Sequence, residues 1–275
     1  MGIDVLRPDS EGYESERGAF NVLLRQSPAG IVTPGGAADV VDAVEHAKAE
    51  GLRIGAQRTG HAAEPLGDLS DTLLVRTAAM DSVSIDAARR VARVGAGALW
   101  GDLVPRASEL GLAACHGSSP TVGIVGYSLG GGVGWYGRQH GLQCNRVTAV
   151  ELVDAEGAER RVDADADPEL FWALRGGGGD FGIVTALEFE LLPITEVFAG
   201  ALFFPVERAG EVLHAWHEWT AGVPDEVTSV GRLMSFPPLP QIPEPLRGKD
   251  FAIVEAVALL PEAEAIELLA PLRDL

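Results

Sequence analysis

The residues most capable of chemistry lie in a glycine-rich stretch, residues 116–137, and in a short polar loop, residues 57–63. The stretch contains eight glycines, almost no charge and no steady helical or strand period. So many glycines weaken helices and strands alike, and its apolar side chains would gain nothing from water in a linker. We therefore expect its backbone to approach a large, flat and partly anionic ligand. The polar loop can present its backbone amides to an anion.

Three known enzyme motifs can be compared with the sequence of this stretch. Residues 132–137 match G-x-G-x-x-G, but no apolar strand precedes them and the bulky Trp135 and Tyr136 occupy the turn, which disfavours a dinucleotide fingerprint. No G-K-[ST] occurs, which excludes a P-loop. Ser128 stands in G-Y-S-L-G, the letters of a nucleophile elbow, but we expect a loop rather than a helix to follow it. A serine hydrolase therefore remains as the less favoured alternative.

Size and composition limit the possible partners. The 275 residues suffice for one large domain or two modest ones with a substantial core. The net charge of −19 disfavours nucleic acid and anionic membranes, since both need a basic face. Cys115 and Cys144 make neither a disulfide framework nor a metal cluster. The first ten residues lack the pattern of a signal peptide and no stretch is as long as a membrane span, so we expect a cytoplasmic protein.

Apolar periodicity predicts the elements that must hold the two stretches. A strand at 31–34, a helix at 38–50 and a strand at 53–56 suggest a small βαβ unit. Further along we expect hairpins at 83–94 and 147–162, helices at 99–110 and 170–174, and a strand at 181–189. An irregular lead-in, residues 1–29, precedes them, with Tyr13 and Phe20 as its anchors.

The character of the chain changes after Pro193. We expect strands at 199–204, 228–236 and 251–260 and helices at 207–219 and 262–272. This combination indicates a second α+β domain with an antiparallel sheet. His214 and His217 lie three residues apart without a third ligand, so we expect solvent-facing helix residues rather than a metal site. The chain stops at Leu275 without finishing an evident sheet, so we expect a piece of a longer polypeptide.

Four segments occur in one order, and together they are far more specific than each is alone: Q-R-T-G-H-A (57–62), R-V-G-A-G-A-L-W-G-D-L (93–103), G-S-S-P-T-V-G-I-V-G-Y-S-L-G-G-G-V-G (117–134) and D-P-E-L-F-W-A-L-R-G-G-G-G-D-F-G-I-V-T (167–185). With them the chain resembles the FAD-binding fold shared by vanillyl-alcohol oxidase, p-cresol methylhydroxylase and the berberine bridge enzyme-like oxidoreductases. It is most similar to bacterial forms of the last group. The resemblance implies an α+β protein with a two-subdomain FAD-binding fold at 30–193 and a partial substrate domain at 194–275.

The resemblance also implies a chemistry. An FAD-dependent oxidoreductase would take a hydride from a small organic substrate and pass the electrons to oxygen or another acceptor. His61 corresponds to the family's covalent flavin histidine, although a loop histidine that only forms hydrogen bonds stays possible. Many relatives add a cysteine link in G-x-C-P-T-V-G, where this chain has Ser119, so the resemblance implies a single link. A flavin-binding remnant without turnover is the alternative, because the family's catalytic base lies in a part of the pattern beyond Leu275.

By the same resemblance, loop 57–63 would wrap the FAD pyrophosphate, Gly123, Gly126 and Ser128 would lie along the cofactor, and Ile183 and Val184 would line its adenine end. The implied cofactor-binding residues are Arg58, Thr59, Gly60, His61, Ala62, Gly117, Ser118, Ser119, Thr121, Val122, Gly123, Gly126, Ser128, Gly182, Ile183 and Val184. No residue is assigned as the catalytic base, and no metal ligand is expected.

Overall fold

The computed structural model describes residues 3–275, which form two compact units. The first comprises the described residues up to Gly134 together with Leu142–Pro193, and the second comprises Trp135–Gly141 and Ile194–Leu275. Residues 135–141, which the sequence assigned to the first domain, join the second unit because the Arg138 guanidinium donates to the carbonyls of Val223 and Val227. The division at 29, 193 and 275 remains a prediction, and residues 1 and 2 of the lead-in lie outside the described residues.

A small parallel sheet opens the first unit. Its elements are α1 Tyr13–Glu16, β1 Gly30–Val32, α2 Ala37–Glu50, β2 Arg53–Gln57 and β3 Thr72–Arg76. The two strands and the helix of the predicted βαβ unit all form. The small size of that unit implied that β1 and β2 pair with each other, but β3 lies between them in the order β1-β3-β2. Four of the five β3 residues are buried, which suits the central position, whereas β2 is largely half-exposed and lies at an edge.

A five-stranded antiparallel sheet forms the rest of the first unit, in the order β4-β5-β8-β6-β7. In chain order the next elements are β4 Val83–Asp86, β5 Val91–Gly95, α3 Trp100–Glu109, α4 Ile124–Leu129, α5 Gly137–His140 of the second unit, β6 Val147–Val153, β7 Glu159–Asp163, α6 Pro168–Leu174 and β8 Ile183–Glu190. Both predicted hairpins are confirmed as β4–β5 and β6–β7. Strand alternation buries Val94, Val150 and Leu187 on one face.

The second unit has a three-stranded antiparallel sheet in the order β10-β11-β9. Its elements are β9 Phe198–Pro205, α7 Ala209–Thr220, β10 Val227–Ser235, β11 Asp250–Ala258 and α8 Glu262–Arg273. The indole of Trp216 on α7 donates to the Ser229 hydroxyl at 3.0 Å, which fixes that helix on the sheet. The α+β class predicted from the sequence is confirmed. His214 and His217 are both exposed, as predicted.

No helix within residues 3–275 combines the length and the apolar character needed to cross a bilayer.

Candidate functional site

The loop after β2 is folded tightly around Gly60. Gly60 has a φ of 75°, and a Cβ there would lie 2.8 Å from the Cβ of Ala19, so only glycine fits this turn. Within the described part of the chain, the N–H groups of residues 59–62 donate no hydrogen bond. A run of unpaired amides in a turn forms a concave anion site. This loop therefore fits the role expected for residues 57–63.

Two arginines give this loop a positive charge in an otherwise acidic protein. Burial lowers the pKa of the Arg76 guanidinium, the nearby Glu16 raises it, and the positive charge of Arg58 lowers it further. An arginine remains charged at neutral pH despite such shifts. Arg76 donates to the Gly18 carbonyl at 3.3 Å. The pair therefore favours an anionic ligand beside the loop.

A second row of unpaired amides precedes α4. In the region that the structure describes, the N–H groups of residues 117–119 and 121–123 have no hydrogen-bond acceptor. Ser119 and Thr121 face each other through their hydroxyls at 3.0 Å. Backbone donors of this kind need a partner, either water or a bound group. The stretch thus offers a second set of donors to an anionic or polar ligand, and its contact with a cofactor stays a prediction.

Residues 95–98 join the three parts of the chain in which cofactor-binding residues were predicted: residues 58–62, 117–128 and 182–184. Residues 95–98 themselves were not among the predicted site residues. Each of three consecutive residues forms a hydrogen bond with a different part of the chain. The Ala96 N–H donates to the Thr185 carbonyl at 2.9 Å, and the Gly97 carbonyl accepts from Arg58 Nε at 2.7 Å. The Ala98 carbonyl accepts from the Ile124 N–H at 3.0 Å. These hydrogen bonds fix the polar loop, the start of α4 and the start of β8 relative to one another.

The two glycines of residues 95–98 are required by close backbone contact. A Cβ on Gly95 would lie 2.2 Å from the Met80 carbonyl oxygen, and one on Gly97 would lie 2.4 Å from that of Thr77. The spacing G-A-G-A directly after a strand was the available signal for such an approach.

Helix α4 corrects the expectation of irregular backbone around Ser128. The apolar side chains of Ile124 and Leu129 are buried, and this packing outweighs the weak helix propensity of the glycines. Ser128 lies inside the helix, 1% exposed, and its hydroxyl donates to the Ile124 carbonyl at 2.8 Å. It is therefore not an accessible nucleophile, and the structure gives no support to the hydrolase alternative. Gly126 is exposed, with no atom within 4 Å of an added Cβ.

Residues 182–184, the last of the predicted cofactor-binding residues, can offer only their backbone to a ligand. The side chains of Ile183 and Val184 are 5% and 4% exposed and belong to the hydrophobic core. Gly182 has a φ of 148°, and an added Cβ would lie 2.6 Å from the Val153 carbonyl oxygen. The predicted contact of these residues with adenine thus stays a prediction about main-chain atoms.

The half-buried Tyr127 packs against the buried Trp100 and fixes part of the glycine-rich stretch. Tyr127 lies edge-on to Trp100, with ring centroids 5.4 Å apart, and its hydroxyl donates to the Cys115 carbonyl at 3.2 Å. Burial strongly raises the pKa of Tyr127, so the phenol stays neutral. Burial likewise raises the pKa of Cys115, which is 1% exposed. Cys115 is therefore a small buried residue, and the hydrogen bond from Tyr127 to its carbonyl holds the stretch in place.

The two predicted anchors of the lead-in behave differently. Tyr13 is 3% exposed and donates to the Pro28 carbonyl at 2.6 Å, which confirms it as an anchor. Phe20 is 61% exposed, so it does not anchor the lead-in through burial in a core. Its ring instead stacks on the imidazole of His61, with centroids 3.8 Å apart and an interplanar angle of 24°.

Comparisons with known proteins agree with this geometry. Residues 28–163 match the family model described as FAD binding domain. Together with the fold, this match places the chain among the FAD-binding proteins of the vanillyl-alcohol oxidase and p-cresol methylhydroxylase type, which confirms the resemblance.

Two relatives with similar sequences are oxidases. (R)-6-hydroxynicotine oxidase of Paenarthrobacter nicotinovorans is 36% identical over 188 residues, which cover 68% of this chain and 41% of the relative. Glucooligosaccharide oxidase of Sarocladium strictum is 34% identical over 198 residues, covering 71% and 40%.

Among solved structures, 6-hydroxy-D-nicotine oxidase from Arthrobacter nicotinovorans superposes with a TM-score of 0.87 at 29% identity, covering 99% of this chain and 59% of the other. The wild-type BBE-like 1 protein of Physcomitrella patens gives 0.85 at 27% identity, covering 98% and 57%. The chain spans roughly 40–50% of the length of these curated relatives.

Proposed function

We propose that this chain belongs to an FAD-dependent oxidoreductase that oxidises a small organic substrate and holds its flavin through a single covalent bond to His61. The observation that carries the proposal is the pair of amide rows, residues 59–62 and 117–123, held together by residues 95–98. The N–H groups of both rows lack a hydrogen-bond acceptor within the described residues. A dinucleotide cofactor supplies the anionic pyrophosphate that such donors bind.

The chain's own residues have distinct roles in this proposal. Amides of residues 59–62 hold the pyrophosphate, and Arg58 contributes positive charge while its Nε keeps the loop against Gly97. Bound FAD supplies the hydride-accepting ring. Gly126 leaves room along the cofactor, because its side of α4 is open. The backbone at Ile183 and Val184 faces the adenine end.

Attachment at His61 must balance in atoms and electrons. A bond forms between an imidazole nitrogen and the carbon of the flavin methyl group. One hydrogen leaves that methyl group and one leaves the imidazole N–H, and dioxygen takes up both with two electrons as hydrogen peroxide. His61 is exposed on its loop, so its nitrogens are accessible to a ligand. Ser119 cannot form the thioether that a cysteine would, which is why we propose one bond.

The substrate class and electron acceptor are proposed from the relatives. Those named above are oxidases of hydroxynicotine and of an oligosaccharide, which supports a small organic substrate and oxygen as the acceptor. Xylooligosaccharide oxidase of Thermothelomyces thermophilus, 31% identical over 234 residues, adds a second carbohydrate example. We assign no catalytic base within this chain.

The test is retention of flavin after denaturation. We expect purified protein to be yellow and to keep flavin fluorescence on the polypeptide after acid precipitation. His61→Ala should bind FAD but release all of it in acid, whereas His214→Ala, which changes an exposed histidine of the second unit, should retain it. Complete release by the unmodified protein would refute the His61 bond but not FAD binding. A protein that stays colourless after incubation with FAD would refute the proposal, whereas bound flavin without turnover of any substrate would favour the silent flavin-binding remnant.

A further inference from the structure

The lead-in contacts the loop of His61 through an exposed aromatic ring. The ring of Phe20 lies 3.8 Å from the imidazole of His61, centroid to centroid and nearly parallel. Phe20 is nevertheless 61% exposed, and Val22 and Leu23 beside it are 89% and 87% exposed. None of the three belongs to a hydrophobic core cluster of the described residues. Core packing therefore does not explain where Phe20 lies.

The backbone holds this ring in place. The Phe20 N–H donates to the Thr59 carbonyl at 2.9 Å, one residue before the glycine of the turn. The preceding residue, Ala19, sits so close to Gly60 that a Cβ there would not fit. Gly18 accepts from Arg76 at 3.3 Å. Residues 18–20 are thus fixed against the loop, and the ring of Phe20 is set over His61 rather than swinging freely.

Stacking restricts the imidazole. The terminal torsion of a histidine is broad and roughly two-fold, so an exposed imidazole samples several orientations. A ring over one face of His61 limits that rotation and leaves the two edge nitrogens accessible. Aromatic pairs with such spacing are favourable beyond their buried area.

We propose that Phe20 is a positioning residue for flavin attachment: it holds the His61 imidazole in the orientation from which a nitrogen bonds to the flavin methyl carbon. The inference rests on the proposed His61 bond and adds a residue to it. Phe20 exchanges no proton or electron in this step. It changes the rate at which the bond forms, not the affinity for free FAD.

The experiment follows attachment with time. Protein prepared without flavin is mixed with FAD, and acid-stable flavin fluorescence is measured for the unmodified protein, Phe20→Leu and Phe20→Tyr. We expect Phe20→Leu to slow attachment by about 2- to 13-fold, the range of a ring-stacking contact, and Phe20→Tyr to restore the rate. Leu23→Ala is the matched control, because it removes an exposed apolar side chain from the same segment without touching a stack, and it should attach flavin normally.

A second measurement separates positioning from general stability. FAD affinity is determined in the His61→Ala background with and without Phe20→Leu, and the two values should agree. Equal attachment rates for Phe20→Leu and the unmodified protein overturn the inference alone, as does a loss of FAD affinity matching the loss of rate. Failure of Phe20→Tyr to restore the rate also overturns it. An unmodified protein without acid-stable flavin overturns both this inference and the proposed His61 bond.

Discussion

Replacing Gly126 by alanine should separate folding stability from cofactor binding. Gly126 lies in the first turn of α4, is exposed, and has no atom within 4 Å of an added Cβ. Its φ lies outside the left-handed region, so alanine adopts this backbone without strain. A glycine inside a helix costs about 0.5–1 kcal/mol relative to alanine. Without FAD, Gly126→Ala should therefore stabilise the protein by up to about 1 kcal/mol.

The effect on binding has the opposite sign. If the open side of α4 lies along the cofactor, the new methyl group occupies space that FAD needs. Overpacking of one methyl group costs about 1–3 kcal/mol, which corresponds to a loss of FAD affinity of about 5- to 160-fold. Thermal unfolding of the flavin-free protein measures the first effect. Titration of the non-covalent His61→Ala background with FAD, followed by quenching of flavin fluorescence, measures the second.

Gly210→Ala is the matched control. Gly210 also lies in the first turn of a helix, α7 of the second unit, with nothing within 4 Å of an added Cβ. It should raise the unfolding temperature without changing FAD affinity. The reasoning is refuted if Gly126→Ala binds FAD as tightly as the background, or if it destabilises the flavin-free protein.

Two further predictions concern the first unit. Gly97→Ala places a Cβ 2.4 Å from a backbone oxygen, so it should cost about 1–3 kcal/mol or more in urea unfolding, and an unchanged midpoint would contradict the close contact. Arg93 and then Arg161 hold the pKa of the half-buried Glu151 carboxyl below its usual range. This contribution is present above the unfolded pKa near 4.3 and is lost as the pH falls through the lower folded pKa, so Glu151→Gln should lose less stability on acidification, by under about 1 kcal/mol. Parallel profiles of unfolding temperature against pH would argue against it.

Much of the fold could be predicted because its signals are local. Helix α2 follows from the spacing of its apolar residues and ends at Gly51, whose φ of 65° is typical of a C-terminal glycine cap. The start of α6 is equally local: the Asp167 carboxylate accepts from the Leu170 N–H at 3.2 Å, directly before Pro168 at the first helical position. Such caps depend on neighbours within four residues, which a sequence displays.

The order of strands and the position of α4 could not be predicted this way. β3 lies between β1 and β2 and pairs with both in parallel, and this order depends on which elements cover each strand in the folded protein. α4 forms in a glycine-rich segment because Ile124 and Leu129 find a core to bury in. Propensity alone disfavours a helix there, and tertiary packing outweighs propensity.

For the candidate site, the sequence by itself determined which residue types are present: a histidine in a tight loop, glycines where backbones must approach, and a serine rather than a cysteine at position 119. Only the tertiary structure decided how they are used. It buried the Ser128 hydroxyl in its own helix, joined three distant segments at residues 95–98, and set Phe20 over His61. The physical reason is that α4 forms only where its apolar side chains are buried, and that the contacts of residues 95–98 and of Phe20 join residues tens of positions apart, so their geometry depends on the packed fold.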